Sequence, residues 1–124
     1  MRPRMLLAYA DAAYASQCGR YFRRCGWEVQ MVASGAEARE LTHNYRPDVV
    51  VLDAALLDES GWLTSAKISA EKPDLRIILV ADQDDFGLEE RLHMVGADQA
   101  VQREDGAEAL AEAVLGSLLL AKAI

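Results

Sequence analysis

The stretch Pro47-Asp48-Val49-Val50-Val51-Leu52-Asp53 decides the fold of this chain. Four apolar residues in a row, three of them β-branched valines, are typical of a parallel strand that is covered on both faces. The run ends in an acid, Asp53. In open α/β sheets, ligands bind in the crevice at the carboxyl ends of the strands. Asp53 is therefore the first candidate for a functional residue.

Short apolar runs alternate with helical patterns on both sides of this stretch. The pattern predicts strands at 5–9, 27–32, 49–53, 76–80 and 99–102, and helices at 11–25, 34–45, 61–71, 84–95 and 106–123. Asp11 is placed to cap the first helix, and Ser34 with Glu37 forms a capping box for the second. Asp84 or Asp85 is placed to cap the fourth. We therefore predict one α/β domain over residues 1–124, a doubly wound, five-stranded parallel sheet between two layers of helices.

The composition is that of an ordinary soluble domain, with 52% hydrophobic and 27% charged residues. A formal net charge of -7 argues against a surface for nucleic acid or for an anionic membrane. The first residues lack the long apolar region of a signal peptide, and the longest apolar stretch, 114–120, is too short to cross a bilayer. We therefore expect a cytoplasmic protein that binds neither nucleic acid nor membrane.

Two cysteines, Cys18 and Cys25, lie seven residues apart on the first predicted helix and so share one face. A redox pair or half of a metal site would use this arrangement. A zinc site needs further ligands at a regular spacing, however, and the sequence offers none. We expect two reduced thiols in the apolar core.

Several motifs, in this order and at this spacing, make the chain similar to the receiver domain of response regulators. They are the 47–53 stretch, Gly61 eight residues after Asp53, the strand Arg76-Ile77-Ile78-Leu79-Val80, and Gly96-Ala97-Asp98 before the last strand. The resemblance extends from Met5 to about Leu118 and implies the CheY-like, flavodoxin-like fold with strand order 2-1-3-4-5. It also implies that Asp53 is the phosphoacceptor, which takes a phosphoryl group from a sensor histidine kinase in two-component signal transduction.

The supporting positions of an active receiver are different here. The acidic pair that holds magnesium in the family falls on Tyr9 and Ala10, the hydroxyl position on Ala81, and the lysine position on Arg103. Neither Tyr9 nor Ala10 carries a charge at neutral pH. The loss of two carboxylates beside a divalent ion predicts magnesium binding that is weaker by orders of magnitude.

Asp53 and the backbone carbonyl of Ala55 are the ligands that would remain for a metal ion. We therefore expect no metal and no cofactor, and magnesium only if Asp53 is phosphorylated after all. With the acidic pair gone, we hypothesise that Arg103 or the Tyr9 hydroxyl contacts Asp53 directly in place of a cation. The alternative is an exposed Arg103 and a Tyr9 that only fills space.

Two further features concern signalling. In the family, the hydroxyl on the fourth strand is linked to an aromatic residue on the fifth, and these positions are Ala81 and Ala100 here. On the last predicted helix, Leu115 and Leu119 lie roughly opposite the apolar stripe that faces the sheet. Exposed leucines of this kind favour an interface with a protein partner or a second copy of the chain.

Two functions from different classes follow. In the first, the chain is a pseudo-receiver, an interaction module that works without phosphorylation and is not an enzyme. In the second, it is a working receiver that a sensor histidine kinase phosphorylates on Asp53. A downstream output domain is a further possible partner in either case. A nucleotide- or flavin-binding enzyme is disfavoured, because no glycine-rich phosphate loop follows the first strand.

Overall fold

The valine-rich stretch forms the central strand of the sheet in a computed structural model of the chain. The structure describes residues 2–82 and 89–123, with the side chains of 90–116 in the second part. The elements in chain order are β1 (Arg4–Ala8), α1 (Ala12–Arg24), β2 (Glu28–Val32), α2 (Gly35–Asn44), β3 (Val49–Asp53), α3 (Gly61–Glu71), β4 (Arg76–Ala81), α4 (Glu89–Met94), β5 (Gln99–Gln102) and α5 (Gly106–Ala123).

The five strands form one parallel sheet in the order β2-β1-β3-β4-β5. This order confirms the predicted fold class and the order that the family resemblance implies. The register pairs Leu7 with Val51 and Asp53 with Val80. The carboxyl end of β3 therefore lies between the ends of β1 and β4, at the edge of the sheet where ligands bind in folds of this type.

Alternate residues of the three inner strands supply two separate cores. Met5, Leu7 and their counterparts on β3 and β4 pack under α1 and α5. Leu6 and Ala8 face the opposite way and pack under α2 and α3. Every residue of β3 is buried. Burial on both faces explains why the strand is apolar throughout and does not alternate with polar residues.

Helix caps form where the sequence predicts them. The Asp11 carboxylate accepts hydrogen bonds from the backbone N–H groups of Ala13 and Tyr14. Ser34 accepts one from the backbone of Glu37, whose carboxylate accepts the Ser34 hydroxyl in return. Each cap satisfies backbone donors that the first turn of a helix leaves without partners.

The structure differs from the sequence prediction in two details, at Cys25 and after β5. Cys18 is buried, but Cys25 is exposed at the end of α1, so the prediction of two core thiols is wrong for Cys25. A short 3-10 turn, Arg103–Asp105, separates β5 from α5 and was not expected. The predicted cap at Asp84 or Asp85 lies outside the described residues.

Within the described part of the chain, no helix is both long and apolar enough to cross a membrane.

Gly61, the first residue of α3, sits against the backbone that follows the central strand. Its N–H donates to the Ala54 carbonyl at 2.8 Å, and a Cβ here would overlap the carbonyl oxygen of Asp53. We expect Gly61→Ala to lower the free energy of unfolding by about 2 kcal/mol, because backbone cannot yield to the added carbon cheaply. Urea unfolding followed by tryptophan fluorescence would measure the change.

Gly116→Ala is the matched control for this substitution. A Cβ at Gly116 meets nothing closer than the Gln99 amide nitrogen at 3.9 Å. Alanine is favoured over glycine in a helix, so this variant should gain up to about 1 kcal/mol. Equal effects of the two substitutions would contradict the close packing at Gly61.

Candidate functional site

Asp53 is a buried carboxylate at the carboxyl end of the central strand. Only 4% of its surface is exposed. Its Oδ1 accepts a hydrogen bond of 2.8 Å from the backbone N–H of Ala55. A buried carboxylate is costly unless it is neutralised and hydrogen-bonded, so the groups around it decide what it can do.

The guanidinium of Arg103 contacts both oxygens of Asp53. Nη2 donates to Oδ1 at 2.5 Å and Nε donates to Oδ2 at 3.2 Å. Arg103 follows β5 directly, so the contact joins the carboxyl ends of β3 and β5, on either side of β4, across 50 positions of sequence. This fork is the planar, two-point geometry for which arginine is suited and lysine is not.

Two other groups hold Arg103 in this position. Its Nη1 donates to Oδ1 of Asp82, the residue after β4. Its backbone carbonyl accepts the Tyr14 hydroxyl of α1 at 3.2 Å. The guanidinium thus bridges two carboxylates, and its main chain is attached to α1. The result is a closed network of charges at the edge of the sheet.

The pKa values follow from these contacts. Burial raises the pKa of Asp53 above its ordinary value, and the Ala55 N–H and Arg103 offset only part of that rise. Partial burial lowers the pKa of Arg103, but its contacts with Asp53 and Asp82 raise it by more. Arg103 therefore remains a cation over the whole range in which Asp53 titrates.

The hypothesis that Arg103 or Tyr9 contacts Asp53 directly is confirmed, and Arg103 is the residue that makes the contact. The Tyr9 side chain is buried, and its hydroxyl has no hydrogen-bond partner among the described residues. Its ring packs edge-on against Tyr14, with centroids 5.0 Å apart. Burial raises the pKa of Tyr9 well above the ordinary value, so it stays neutral. The residue is part of the core above β1.

The other two positions that correspond to active-site residues of the family, Ala10 and Ala81, add no charge near Asp53. Ala10 is exposed just beyond β1, and Ala81 is buried at the end of β4. Across the described residues, no group of three or more His, Cys, Asp or Glu side chains is arranged to hold a metal ion. Asp53 is the one acid among the positions that the family uses for magnesium, and Arg103 occupies both of its oxygens.

The loop after Asp53 is attached to neighbouring helices by two acids. The Asp58 carboxylate accepts the N–H groups of Gly35 and Ala36 at 2.6 and 3.0 Å, which caps α2 from a distance and lowers the pKa of Asp58. Glu59 accepts the Thr64 hydroxyl and the Lys67 ammonium of α3. These hydrogen bonds therefore hold the loop against both α2 and α3.

Sequence reasoning missed two members of this site, Tyr14 and Asp58. Tyr14 gives no local signal, because its contact with Arg103 joins residues 89 positions apart. Asp58 likewise acts on a distant helix end. The position of Asp82, in contrast, is evident from the sequence, since an acid directly after β4 must lie at the same edge of the sheet as Asp53.

An aspartate at the end of the middle strand of a parallel sheet in the order 2-1-3-4-5 is the arrangement that the resemblance to receiver domains implies. The family model described as the response regulator receiver domain matches residues 6–115. The chain belongs to this family. Receiver domains of this kind are generally signalling modules without catalytic activity of their own.

Curated relatives and solved structures agree with this assignment. The TorCAD operon transcriptional regulatory protein TorR of Escherichia coli (strain K12) is 35% identical over 88 residues, which are 67% of this chain and 36% of TorR. The transcriptional regulatory protein DegU of Brevibacillus brevis is 29% identical over 90 residues, 70% of this chain and 38% of DegU. The chain thus spans little more than a third of the length of these relatives.

Two receiver structures show the same fold over nearly the whole chain. The signal receiver domain of an HD domain-containing protein from Pseudomonas fluorescens Pf-5 has a TM-score of 0.89 at 18% identity, with complete coverage of both chains. A CheY-like receiver domain protein from Methanospirillum hungatei JF-1 has a TM-score of 0.88 at 20% identity and covers 98% of each.

Proposed function

We propose that this receiver domain of a two-component response regulator works as a protein-interaction module without phosphorylation of Asp53 and without enzymatic activity. The main support is the fork of Arg103 on Asp53. An aspartate nucleophile needs a free oxygen for the phosphoryl donor, and a bound cation to neutralise the charge that develops on the phosphoryl oxygens. Here the Arg103 side chain donates hydrogen bonds to both carboxylate oxygens.

The donor set around Asp53 also does not fit magnesium. Magnesium needs near-octahedral oxygen ligands, usually with one or two carboxylates. The positions of the acidic pair are a neutral Tyr9 and an exposed Ala10. A divalent ion at Asp53 would in addition lie beside the guanidinium of Arg103, which contacts both oxygens of the same carboxylate. Two adjacent positive charges repel each other strongly. Arg103 thus supplies the positive charge beside Asp53 that a bound metal ion would otherwise supply.

The switch positions of the family support the same proposal. Ala81 is a buried methyl group at the end of β4, and Ala100 is half-buried on β5. A hydroxyl that pulls on the phosphoryl group and an aromatic ring that changes position are both missing. A conformational switch needs contacts that differ between its two states, and these alanines offer few.

The interface that we proposed from the sequence involves Leu115 and Leu119 of α5. Leu115 is 59% exposed and borders a small apolar hollow with Phe22 and Trp27 beside α1. The side chain of Leu119 lies outside the described part of the structure. We keep this face as a proposed contact for a protein partner, an output domain or a second copy of the chain.

The alternative function is a receiver that a sensor histidine kinase phosphorylates on Asp53. One observation favours it, which is that the aspartate itself stands at the end of the middle strand, beside Ala55. Phosphorylation would require Arg103 to leave the carboxylate and a magnesium ion to enter.

Amide NMR with magnesium, and then with magnesium plus beryllofluoride as an acyl-phosphate mimic, tests the proposal. We expect the amides of Ala54, Ala55 and Ala81 to keep their positions, because Arg103 occupies both oxygens of Asp53. Asp53→Asn is the control. Shifts that centre on residue 53 and disappear in the control would overturn the proposal and establish the alternative.

A further inference from the structure

An apolar groove opens at the edge of the sheet that carries Asp53, between the first turns of α1 and the ends of β1 and β2. We define the β1–β2 groove by six of its residues: Ala10, Ala12, Ala15, Met31, Val32 and Ala33. Its volume is about 300 Å³, which is at the lower end of the range for ligand pockets. It can hold one large apolar side chain but not an extended ligand.

The small residues on both sides create the hollow. Ala10 and Ala12 stand on either side of the α1 cap, and Ala33 lies between β2 and α2. Alanine leaves room that a longer side chain would fill, and the acid of an active receiver would make the Ala10 position polar. The edge where the family binds a charged ion is therefore apolar here.

Larger apolar side chains extend this surface. Met31 forms one wall of the groove and is 37% exposed. Leu57 is 71% exposed, and its N–H donates to the Ala33 carbonyl at 3.2 Å, so it stands directly next to the groove. Methionine is flexible and polarizable, and surfaces that accept varied partners use it often.

The rim of the groove is acidic. Glu37 lines its outer side, and the exposed Asp11 lies between two of the alanines. Asp58, in the loop after β3, does not line the groove, but it is exposed nearby, where it accepts the N–H groups of Gly35 and Ala36. No lysine or arginine lines the groove within the described ranges, and the whole chain carries a net charge of -7. A partner with complementary charge is therefore basic.

We infer that the β1–β2 groove docks a basic amphipathic helix of another protein, with one apolar anchor side chain in the hollow and lysines or arginines over the rim. Helices commonly bind by laying an apolar face into such a groove. This inference rests on the proposed function and names the kind of partner that the interaction module takes. The contact would lie at the same edge of the sheet as Asp53, without using its carboxylate.

NMR of the full chain with labelled methionine and alanine methyl groups tests the inference. The probe is a synthetic amphipathic helix made of leucine and lysine. One control peptide has the same composition in an order with no apolar face, and a second has glutamate in place of lysine. We expect only the leucine–lysine helix to shift the methyl signals of Met31 and Ala33. Raising the salt concentration should weaken its binding.

Matched variants locate the contact. Ser16 also lines the groove and is exposed on α1, so Ser16→Trp should fill the hollow and weaken binding about tenfold. Gln17→Trp adds the same ring at the next exposed position, outside the groove, and should change binding by less than about twofold. Glu37→Gln should weaken binding more than Glu108→Gln, which removes an exposed charge from α5.

Several outcomes would overturn the inference. They are equal binding of either control peptide, equal effects of the two tryptophan variants, or shifts confined to another face. Methyl shifts that depend on protein concentration without any peptide would assign the groove to a second copy of the chain instead. The beryllofluoride experiment measures amide shifts around Asp53, and this one measures methyl shifts at Met31 and Ala33. A failure of the proposed function can therefore be told from a failure of the docking site.

Discussion

Replacing Arg103 by alanine is expected to lower the free energy of unfolding by about 3 kcal/mol at neutral pH. The Asp53 side chain is only 5% exposed, so the substitution leaves a buried carboxylate without its cation. Loss of one partner from a buried ion pair typically costs about 3–5 kcal/mol. We place the effect at the lower end because Arg103 is itself 28% exposed. Urea unfolding, followed by tryptophan fluorescence, measures it.

The pH dependence of this loss follows from the pKa of Asp53. Burial already raises that pKa in the folded protein, and removing Arg103 raises it further. A raised pKa means that the folded state binds a proton more readily than the unfolded state. The contribution is therefore most favourable below the unfolded pKa and is lost as the pH rises through the folded pKa. We expect the difference between variant and parent to be largest at neutral pH and to shrink in acid.

A second substitution separates the buried charge from other causes. Asp53→Asn in the Arg103→Ala background removes the charge and should restore most of the lost stability. Arg20→Ala, on the exposed face of α1, is the control and should change stability by less than about 0.5 kcal/mol. If the double variant is no more stable than Arg103→Ala alone, the uncompensated carboxylate is not the cause of the loss.

The second large effect concerns magnesium. We expect the melting temperature of the parent chain to move by less than about 1 °C in 10 mM magnesium, because Arg103 already neutralises Asp53. Ala10→Asp together with Arg103→Lys returns one acid and replaces the fork by a compact ammonium. A carboxylate about 4 Å from a cation contributes roughly 4 kcal/mol per pair of unit charges at an effective dielectric constant of 20. Magnesium should therefore bind the variant at least about a hundredfold more tightly.

Thermal unfolding checks this expectation. At a magnesium concentration about ten times the Kd, binding adds about 1.4 kcal/mol, which raises the melting temperature of a domain of this size by about 5 °C. Ala10→Asn together with Arg103→Lys is the control, because it differs from the test variant only in lacking the added carboxylate. A rise of the same size in the parent chain would show that magnesium binds Asp53 despite Arg103.

The fold could be predicted because its signals are local. The consecutive valines of β3 indicate a strand that is buried on both faces. The capping residues Asp11 and Ser34 lie within three residues of the groups they bind. The sheet order was available only through the family resemblance, since strand patterns alone do not say which strands are neighbours. The 3-10 turn after β5 was missed because its three polar residues look like any loop.

The site could be predicted only in part. Asp53 was evident from the strand that it ends, and Arg103 was found only because the family resemblance puts the conserved lysine at its position. The choice between Arg103 and Tyr9 could not be made from the sequence, because it depends on side-chain direction. Tyr9 packs against Tyr14 above the sheet, while Arg103 reaches Asp53 from the turn after β5.

The fork of Arg103 has one more consequence, which concerns how the domain depends on its surroundings. A magnesium ion is shared with the rest of the cell, so its occupancy varies with free ion, nucleotides and chelators. A guanidinium on the same chain has a fixed local concentration and is always present. The charge balance at Asp53 would then be the same in every copy of the protein at all times. Under that arrangement, the signal that reaches a partner would depend on how much of the protein is made.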